Sequence, residues 1–187
     1  MRIALSLVLL LLQFGWSNAL ARAPTPAEQL LPKVIGPVSL DERKVLQPEA
    51  AGIVLLYSSP RRVWLTVYVY DAGLSSVPEY LASPAVSSAF DHAVREIKSL
   101  VETGRAKSIK LDDLPPDLVK PEGCGREYLL KRLEIEFSHG RNSSYIFLTT
   151  VRGSFVKVRL SHQAGNAEAQ AVVSSFFAEL SRVLGSC

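Results

Sequence analysis

Histidine, the residue that most often serves as metal ligand or acid–base catalyst, is scarce in this sequence. The chain has 187 residues and only three histidines, His92, His139 and His162. No two of them stand at the i, i+4 spacing that would place two metal ligands on one face of a helix. We therefore predict no metal site, and we expect each histidine to be solvated or bonded locally.

The patterns that could supply a nucleophile are incomplete. No Gly-x-Ser-x-Gly occurs, the pattern of a serine hydrolase elbow. Cys124 lies between two glycines, but a thiol needs a neighbouring base to form the reactive thiolate. His139 or His162 could provide that base only if folding brought one of them to Cys124. The sequence gives no reason to expect this, and we predict no catalytic set.

Loops that bind phosphate or calcium are also incomplete. The sequence has isolated glycines but no phosphate-binding glycine loop. Asp112, Asp113 and Asp117 form an acidic cluster beside two prolines, yet the cluster lacks the glycine and the late glutamate of an EF-hand. We expect a solvated acidic loop there and predict no cofactor.

One strand and the loop that follows it could bind a ligand. Trp64, Tyr68 and Tyr70 share one face of a predicted strand, where they could line a groove. Such residues more often pack as core beneath a helix. The chain then enters a loop through Asp71, and loops at strand ends carry function more often than core positions do. Asp71 could instead cap backbone amides, so its role stays open.

The charge balance argues against nucleic acid as a partner. The sequence has 21 Lys+Arg and 18 Asp+Glu, a formal net charge of +3. A nucleic-acid binder would concentrate positive charge on one face. Lys131, Arg132, Arg152, Lys157 and Arg159 could form a small patch, but strand residues pointing at water are the favoured explanation.

Residues 1–21 have the pattern of a signal peptide. Arg2 precedes an uncharged run of ten residues, Ile3–Leu12, and the small residues Ala19 and Ala21 offer two cleavage sites. A membrane-spanning helix needs about 20 consecutive apolar residues, more than this run has. We therefore predict a periplasmic or secreted protein with no membrane span after cleavage.

Cys124 and Cys187 are the two cysteines of the sequence. Paired cysteines tend to form a bridge in an oxidising compartment, so we predict a disulfide between them. The alternative is two free thiols. Because the closed loop would be long, such a bridge would stabilise the fold by about 4–5 kcal/mol at best.

Hydrophobic periodicity predicts one α+β domain over residues 38–187, after an irregular proline-rich lead-in over residues 22–37. Apolar stripes predict two amphipathic helices, one starting at Ser83 and one at Asn166, each ending at a glycine. The helices should pack on a largely antiparallel sheet of five to six strands. The five to six strands are expected among seven candidate segments, of which Val38–Leu46 and Ala106–Leu111 have the least regular patterns. The seven are Val38–Leu46, Gly52–Tyr57, Arg62–Tyr70, Ala106–Leu111, Tyr128–Phe137, Tyr145–Val151 and Phe155–Leu160.

Two of these segments carry a resemblance. Thr66–Leu74 (TVYVYDAGL), followed by Val77-Pro78 and the helix after Ser83, resembles a strand end found in small exported bacterial proteins of uncharacterised function. Phe147–Arg159 resembles their late hairpin. The element order is also similar to the PsbP-like α+β sandwich of photosystem extrinsic subunits, at the level of fold. The resemblance implies an exported α+β domain and carries over no site residue.

Three functions fit these observations. The favoured one is an exported, non-enzymatic domain that binds an unknown protein or small molecule. The second is an enzyme whose site forms from distant residues, with Asp71, Cys124, His139 and His162 as candidates. The third is a structural periplasmic protein. A concave pocket that gathers titratable groups within hydrogen-bond reach would favour the enzyme.

Overall fold

A computed structural model describes residues 24–121 and 126–185. The predicted leader, Cys124 and Cys187 lie outside these residues, so the signal peptide and the disulfide stay predictions. In the described part, no helix has both the length and the apolar character needed to cross a bilayer.

The described strands form one antiparallel sheet, which confirms the predicted α+β class. Its order is β1-β2-β3-β4-β9-β8-β7-β5, and β6 also pairs with β7. The strands are β1 (Val34–Ile35), β2 (Val38–Val45), β3 (Ile53–Ser59), β4 (Val63–Tyr70), β5 (Ser108–Lys110), β6 (Asp117–Val119), β7 (Tyr128–Phe137), β8 (Gly140–Val151) and β9 (Ser154–Gln163).

The predicted number of five to six strands is wrong, because the described sheet has nine. Strand β5 lies within the predicted segment Ala106–Leu111, whereas no predicted segment contains β1 or β6. These two strands have only two or three residues each, too few to show a period of two. Strand β6 also begins at Asp117, where the sequence predicts a solvated acidic loop. Such short strands are held by the long neighbours that they pair with, β2 for β1 and β7 for β5 and β6.

Helix α1 (Pro84–Glu102) begins where the sequence predicts. The Ser83 hydroxyl accepts a hydrogen bond from the Val86 amide at 3.3 Å, and Pro84 occupies the first turn, where it loses no hydrogen bond. The apolar stripe of the helix, which includes Phe90 and Ile97, is buried against apolar residues of β7, β8 and β9. Burying one such side chain stabilises the fold by about 1.5–3 kcal/mol.

Helix α2 (Ala167–Val183) covers the opposite face of the sheet. The Asn166 side chain caps it by accepting a hydrogen bond from the Ala169 amide at 3.1 Å. Its buried residues Phe176 and Leu180 pack with the alternate residues of β4 and β9 that point away from α1. Both predicted amphipathic helices are therefore confirmed, one on each face.

Strand β4 lies between β3 and β9, as its two apolar faces predict. Val63, Leu65 and Val67 point into the core beneath α2, whereas Tyr70 packs against the core beneath α1. The pairing of β4 with β9 joins two meanders, β1 to β4 and β7 to β9, into one sheet.

The proline-rich lead-in packs on the domain. It contains a 3₁₀ turn, Glu28–Leu30, and strand β1. Ala27 and Ile35 are fully buried in the α2-side core, and the Glu28 carboxylate pairs with Arg43 of β2 at 2.5 Å. These contacts tie the segment to the edge of the sheet.

Candidate functional site

The α1 side of the sheet changes from apolar to polar along strands β4 and β9. Helix α1 covers the part that includes Phe155, and Lys157, Arg159 and Gln163 follow on the same face of β9 because side chains alternate along a strand. Two cavities lie on this face, one beside α1 and one at the far end. We call them the central cluster and the hairpin cleft.

The central cluster consists of Tyr68, Tyr70, His92, Glu96 and Lys157 around a cavity of about 310 Å³. The Lys157 ammonium donates to Glu96 Oε2 at 2.7 Å and lies 4.3 Å from the centroid of the Tyr68 ring. His92 Nε2 lies 3.4 Å from the other oxygen of Glu96. The predicted aromatic face thus packs against a charged pair from α1 and β9.

The electrostatics of the central cluster favour neutral tyrosines around a satisfied ion pair. Burial raises the pKa of Tyr68, with Arg159 opposing the shift and Glu96 adding to it. Burial, aided by the Glu96 charge, also raises the pKa of Tyr70. Since Lys157 has both an anionic partner and an aromatic face, the cluster is suited to holding α1 on the sheet.

The hairpin cleft lies at the opposite end of the same face, where the β7–β8 hairpin turns. Its volume is about 420 Å³. The four strands that contribute to it, β4, β9, β8 and β7, are consecutive neighbours in the sheet. The residues that line it are Arg62, Trp64, Phe137, His139, Gly140, Arg141, Asn142 and Gln163.

Aromatic rings stand on two sides of the hairpin cleft. Trp64 on β4 keeps 51% of its surface exposed, although tryptophan is usually largely buried. Phe137 and His139 stack on each other with ring centroids 5.3 Å apart and an interplanar angle of 14°. Between these walls, Asn142 of β8 and Gln163 of β9 are direct cross-strand partners.

The polar side chains of the hairpin cleft are uncommitted. Within the described residues, Arg62, Arg141, Asn142 and Gln163 form no side-chain hydrogen bond or ion pair. Glu136, the cross-strand partner of Arg141, instead accepts a hydrogen bond from the Ser108 hydroxyl at 3.1 Å. No acidic residue is among the described residues that line the cleft. The cleft therefore presents donors and positive charge to whatever enters it.

His162 is buried on the other face of the sheet, in contact with Tyr145 at a ring-centroid distance of 5.9 Å. Its Nδ1 lies 2.8 Å from the carbonyl oxygen of Gln163. A carbonyl only accepts, so Nδ1 is the donor in this hydrogen bond. Nε2 has no partner among the described residues. His162 is thus separated from the cleft by the sheet itself.

Asp71 is at the opposite end of β4 from His162. Its carboxylate accepts a hydrogen bond from the Gly73 amide at 2.8 Å, which is the backbone-capping role left open by the sequence. His162 pairs with Val63, the first residue of β4, and Asp71 follows the last. The eight residue steps from Val63 to Asp71 separate them by about 26 Å. The structure therefore does not bring Asp71 and His162 together, and Cys124 lies outside the described residues.

Two aspartates of the acidic cluster pair with two basic residues of the predicted patch. The Lys131 ammonium binds the Asp112 carboxylate and the Leu114 carbonyl, and Arg132 pairs with Asp117. The bond from Lys131 holds the pKa of Asp112 below its ordinary value. Lys131 and Arg132 are neighbours on a strand and point to opposite faces, so the basic residues do not form one patch. The described residues contain no group of three metal-ligating side chains.

Sequence reasoning missed the hairpin cleft. It named His139 and Trp64 separately, and it named neither Arg62 nor Gln163. Alternation along each strand does not by itself show that Asn142 and Gln163 share a face. That prediction also requires the register in which β8 pairs with β9. The cleft residues come from four segments that meet only in the folded sheet.

The protein has a distant likeness to a solved structure. No family model matches the chain, and no curated protein matches it. The structure is similar to the solution structure of cyanobacterial PsbP (CyanoP) from Synechocystis sp. PCC 6803, with a TM-score of 0.43 and 15% sequence identity over 74% of this chain and 77% of that one.

Proposed function

We propose that the protein is an exported, non-enzymatic domain that binds a small organic anion in the hairpin cleft. The observation that carries the proposal is the convergence of four uncommitted polar side chains on one cavity beside an exposed tryptophan. Small-molecule sites combine apolar and aromatic walls with a few convergent polar groups in this way.

Charge specifies the class of ligand. Arg62 and Arg141 are permanently cationic, and His139 adds a third basic group when it is protonated. An arginine fork matches a carboxylate with two parallel hydrogen bonds, which are stronger than bonds between neutral groups. A carboxylate ligand could therefore accept such hydrogen bonds from Arg62 and Arg141, whereas a cationic ligand would be repelled by both.

Binding fits the cleft better than catalysis does. The ionisable groups at the cleft are bases, and the acid named as a catalytic candidate, Asp71, is at the far end of β4. The central cluster has acid and base within reach of each other, but its ion pair is already satisfied and holds α1 in place. The cleft is where side chains remain free to receive a ligand.

Isothermal titration calorimetry of the purified mature protein with citrate, benzoate and their neutral amide analogues tests the proposal. We expect the acids to bind and the amides to bind at least about tenfold more weakly, because the arginine bonds depend on the charge. The double variant Arg62→Gln/Arg141→Gln should lose this preference. Arg95→Gln, an exposed arginine on α1, is the matched control and should keep it.

Two results would contradict the proposal. One is acid binding that survives the double variant, and the other is the absence of binding by every acid tested. Export is tested separately by the intact mass of the protein recovered from a bacterial periplasm. That mass should correspond to cleavage after Ala19 or Ala21.

A further inference from the structure

We infer that the anion bound in the hairpin cleft is an acidic sugar, a uronic acid within a short saccharide. This inference rests on the proposed function and specifies its ligand. It follows from three separate features of the cleft, namely the tryptophan surface, the pair of amides and the pair of arginines.

Trp64 offers a flat surface that suits a sugar ring. It lies on β4 on the same face as Tyr68 and Tyr70, but it is half-exposed where they are covered by α1. The π face of an indole carries negative charge density, which attracts the weakly positive C–H groups on one side of a pyranose ring. A small acid without a ring would leave this surface exposed to water.

Asn142 and Gln163 suit the hydroxyls of the same ring. Each amide carries two N–H donors and one acceptor oxygen, and each sugar hydroxyl both donates and accepts. As cross-strand partners, the two residues have Cβ atoms about 5 Å apart. Their heads can therefore reach neighbouring hydroxyls of one ring. A fatty or aromatic acid would leave both amides without partners when it displaced their water.

The arginines suit a carboxylate better than a phosphate at this place. Phosphate sites usually add several free backbone amides, at a helix start or in a glycine loop. Asn142 and Gln163 are strand residues in a paired ladder, and no residue of α1 or α2 is among the described residues that line the cleft. Side-chain forks from Arg62 and Arg141 are the charged groups that the cleft provides, and they fit a planar carboxylate.

The dimensions of the cleft limit the ligand to one or two rings. Three strand spacings separate Trp64 on β4 from the Phe137 and His139 rings at the end of β7, or about 14 Å. The volume of about 420 Å³ is near the lower end for small-molecule sites. A disaccharide with one carboxylate at the arginines would span the walls.

Tryptophan fluorescence provides a readout confined to the cleft. The sequence has two tryptophans, Trp16 and Trp64, and Trp16 falls in the predicted leader. In the mature protein, Trp64 is then the single tryptophan, so the tryptophan emission reports on the cleft alone. Titration with the disaccharides of galacturonate, glucuronate and mannuronate should shift its emission to shorter wavelength for at least one of them, because the ring displaces water from the indole.

Matched ligands separate the features of the sugar. The methyl ester of the binding disaccharide keeps the rings and loses the charge, and it should bind at least about tenfold more weakly. Citrate keeps the charge without the ring, and it should bind more weakly than the disaccharide with little change in emission. ATP tests the nucleotide alternative and should bind more weakly still.

Variants locate the binding. Asn142→Ala and Gln163→Ala should each weaken binding of the disaccharide about tenfold, and they should weaken citrate binding by a smaller factor. Trp64→Ala, followed by calorimetry, should abolish the advantage of the disaccharide over citrate. Tyr80→Ala is the matched control, an aromatic residue that is 67% exposed away from the cleft. Far-ultraviolet circular dichroism checks that each variant is folded.

The experiments distinguish a failure of the sugar inference from a failure of the proposed anion binding. If citrate binds as tightly as every uronate disaccharide, the sugar inference is wrong and anion binding stands. Tighter binding of ATP would overturn the sugar inference in favour of a nucleotide. If neither sugars nor acids bind, the proposed function itself is wrong.

Discussion

The Lys157 ammonium and the Glu96 carboxylate lie 2.7 Å apart, yet the Lys157 side chain is 10% exposed and that of Glu96 is 50% exposed. Removing Lys157 and removing Glu96 should therefore change the free energy of unfolding by different amounts. In Lys157→Met, Glu96 can turn to water and the new side chain still packs on Tyr68, so the free energy of unfolding should change by less than about 1 kcal/mol.

In Glu96→Ala, by contrast, the charge of Lys157 stays buried without its anion. This variant should lose about 1–3 kcal/mol of stability in urea unfolding. Glu102→Ala, at an exposed position on the same helix, is the control and should be close to neutral. A larger loss in Lys157→Met than in Glu96→Ala would contradict this and show that the lysine charge stabilises the fold mainly through the Tyr68 ring.

Gly52 is placed where a side chain has no room. A Cβ atom there would lie 2.0 Å from the carbonyl oxygen of Val69, and the residue has a φ of 71°. Gly52→Ala must displace the paired β4 backbone, and we expect a loss of more than about 3 kcal/mol. Thermal and urea unfolding would measure it.

Gly153→Ala is the matched control for that variant. Gly153 has a similar φ of 72°, but a Cβ atom added there would meet no described atom within 4 Å, so only the backbone conformation is unfavourable. Holding alanine in this left-handed conformation should lower the free energy of unfolding by about 1–2 kcal/mol. Equal losses in the two variants would mean that the contact at Val69 relaxes at little cost.

The Ser83 cap should contribute measurably to stability. Ser83→Ala removes the acceptor for the Val86 amide at the buried start of α1, and we expect a loss of about 1 kcal/mol. Ser87→Ala lies one turn later at an exposed position, where alanine is the better helix former, and it should be neutral or slightly stabilising. Urea unfolding of both variants compares them, and a neutral Ser83→Ala would argue against the cap.

Buried tyrosines should make the protein sensitive to alkali. Burial raises the pKa of Tyr57 and of Tyr128 from 10.0 to about 12. The folded state therefore favours the neutral phenol, so this stability is complete below pH 10 and is lost as the pH rises towards about 12. Each residue should account for about 2–3 kcal/mol over that range.

Urea midpoints measured from about pH 9 to about pH 12 test this dependence. Tyr57→Phe removes the hydroxyl that donates to the Pro32 carbonyl at 2.8 Å, so it should cost some stability at neutral pH and reduce the alkaline slope. The exposed Tyr80→Phe should leave the slope unchanged. If the urea midpoint of Tyr57→Phe fell with pH as steeply as that of the unchanged protein, the loss of stability at alkaline pH would come from other groups.

The sequence predicts the long elements of the fold well because each has a repeated pattern. Strand β7 matches its predicted bounds, and both helices begin at the predicted caps. The short strands β1 and β6, which were not predicted, depend on pairing with longer strands, and a local pattern does not contain that information. Their existence is decided by tertiary contacts.

The candidate sites were predictable only in part for the same reason. Alternation places Tyr68 and Tyr70 on one face of β4. Lys157 contacts Tyr68 only because β9 pairs with β4 in the observed register. Glu96 comes from α1, and it contacts Lys157 only once the helix is packed on the sheet. The hairpin cleft depends still more on register, because its residues come from four strands.

The junction between β4 and β9 also has a consequence for how the chain reaches its native state. Val63 pairs with His162 and Tyr70 with Phe155, so this ladder joins segments that are far apart in the sequence. During synthesis, β4 is complete long before β9 exists, and contacts of such separation form slowly. Until then β4 offers an open edge to other copies of the chain. Refolding yield should therefore fall as protein concentration rises, with light scattering detecting aggregates that start from the unfinished sheet.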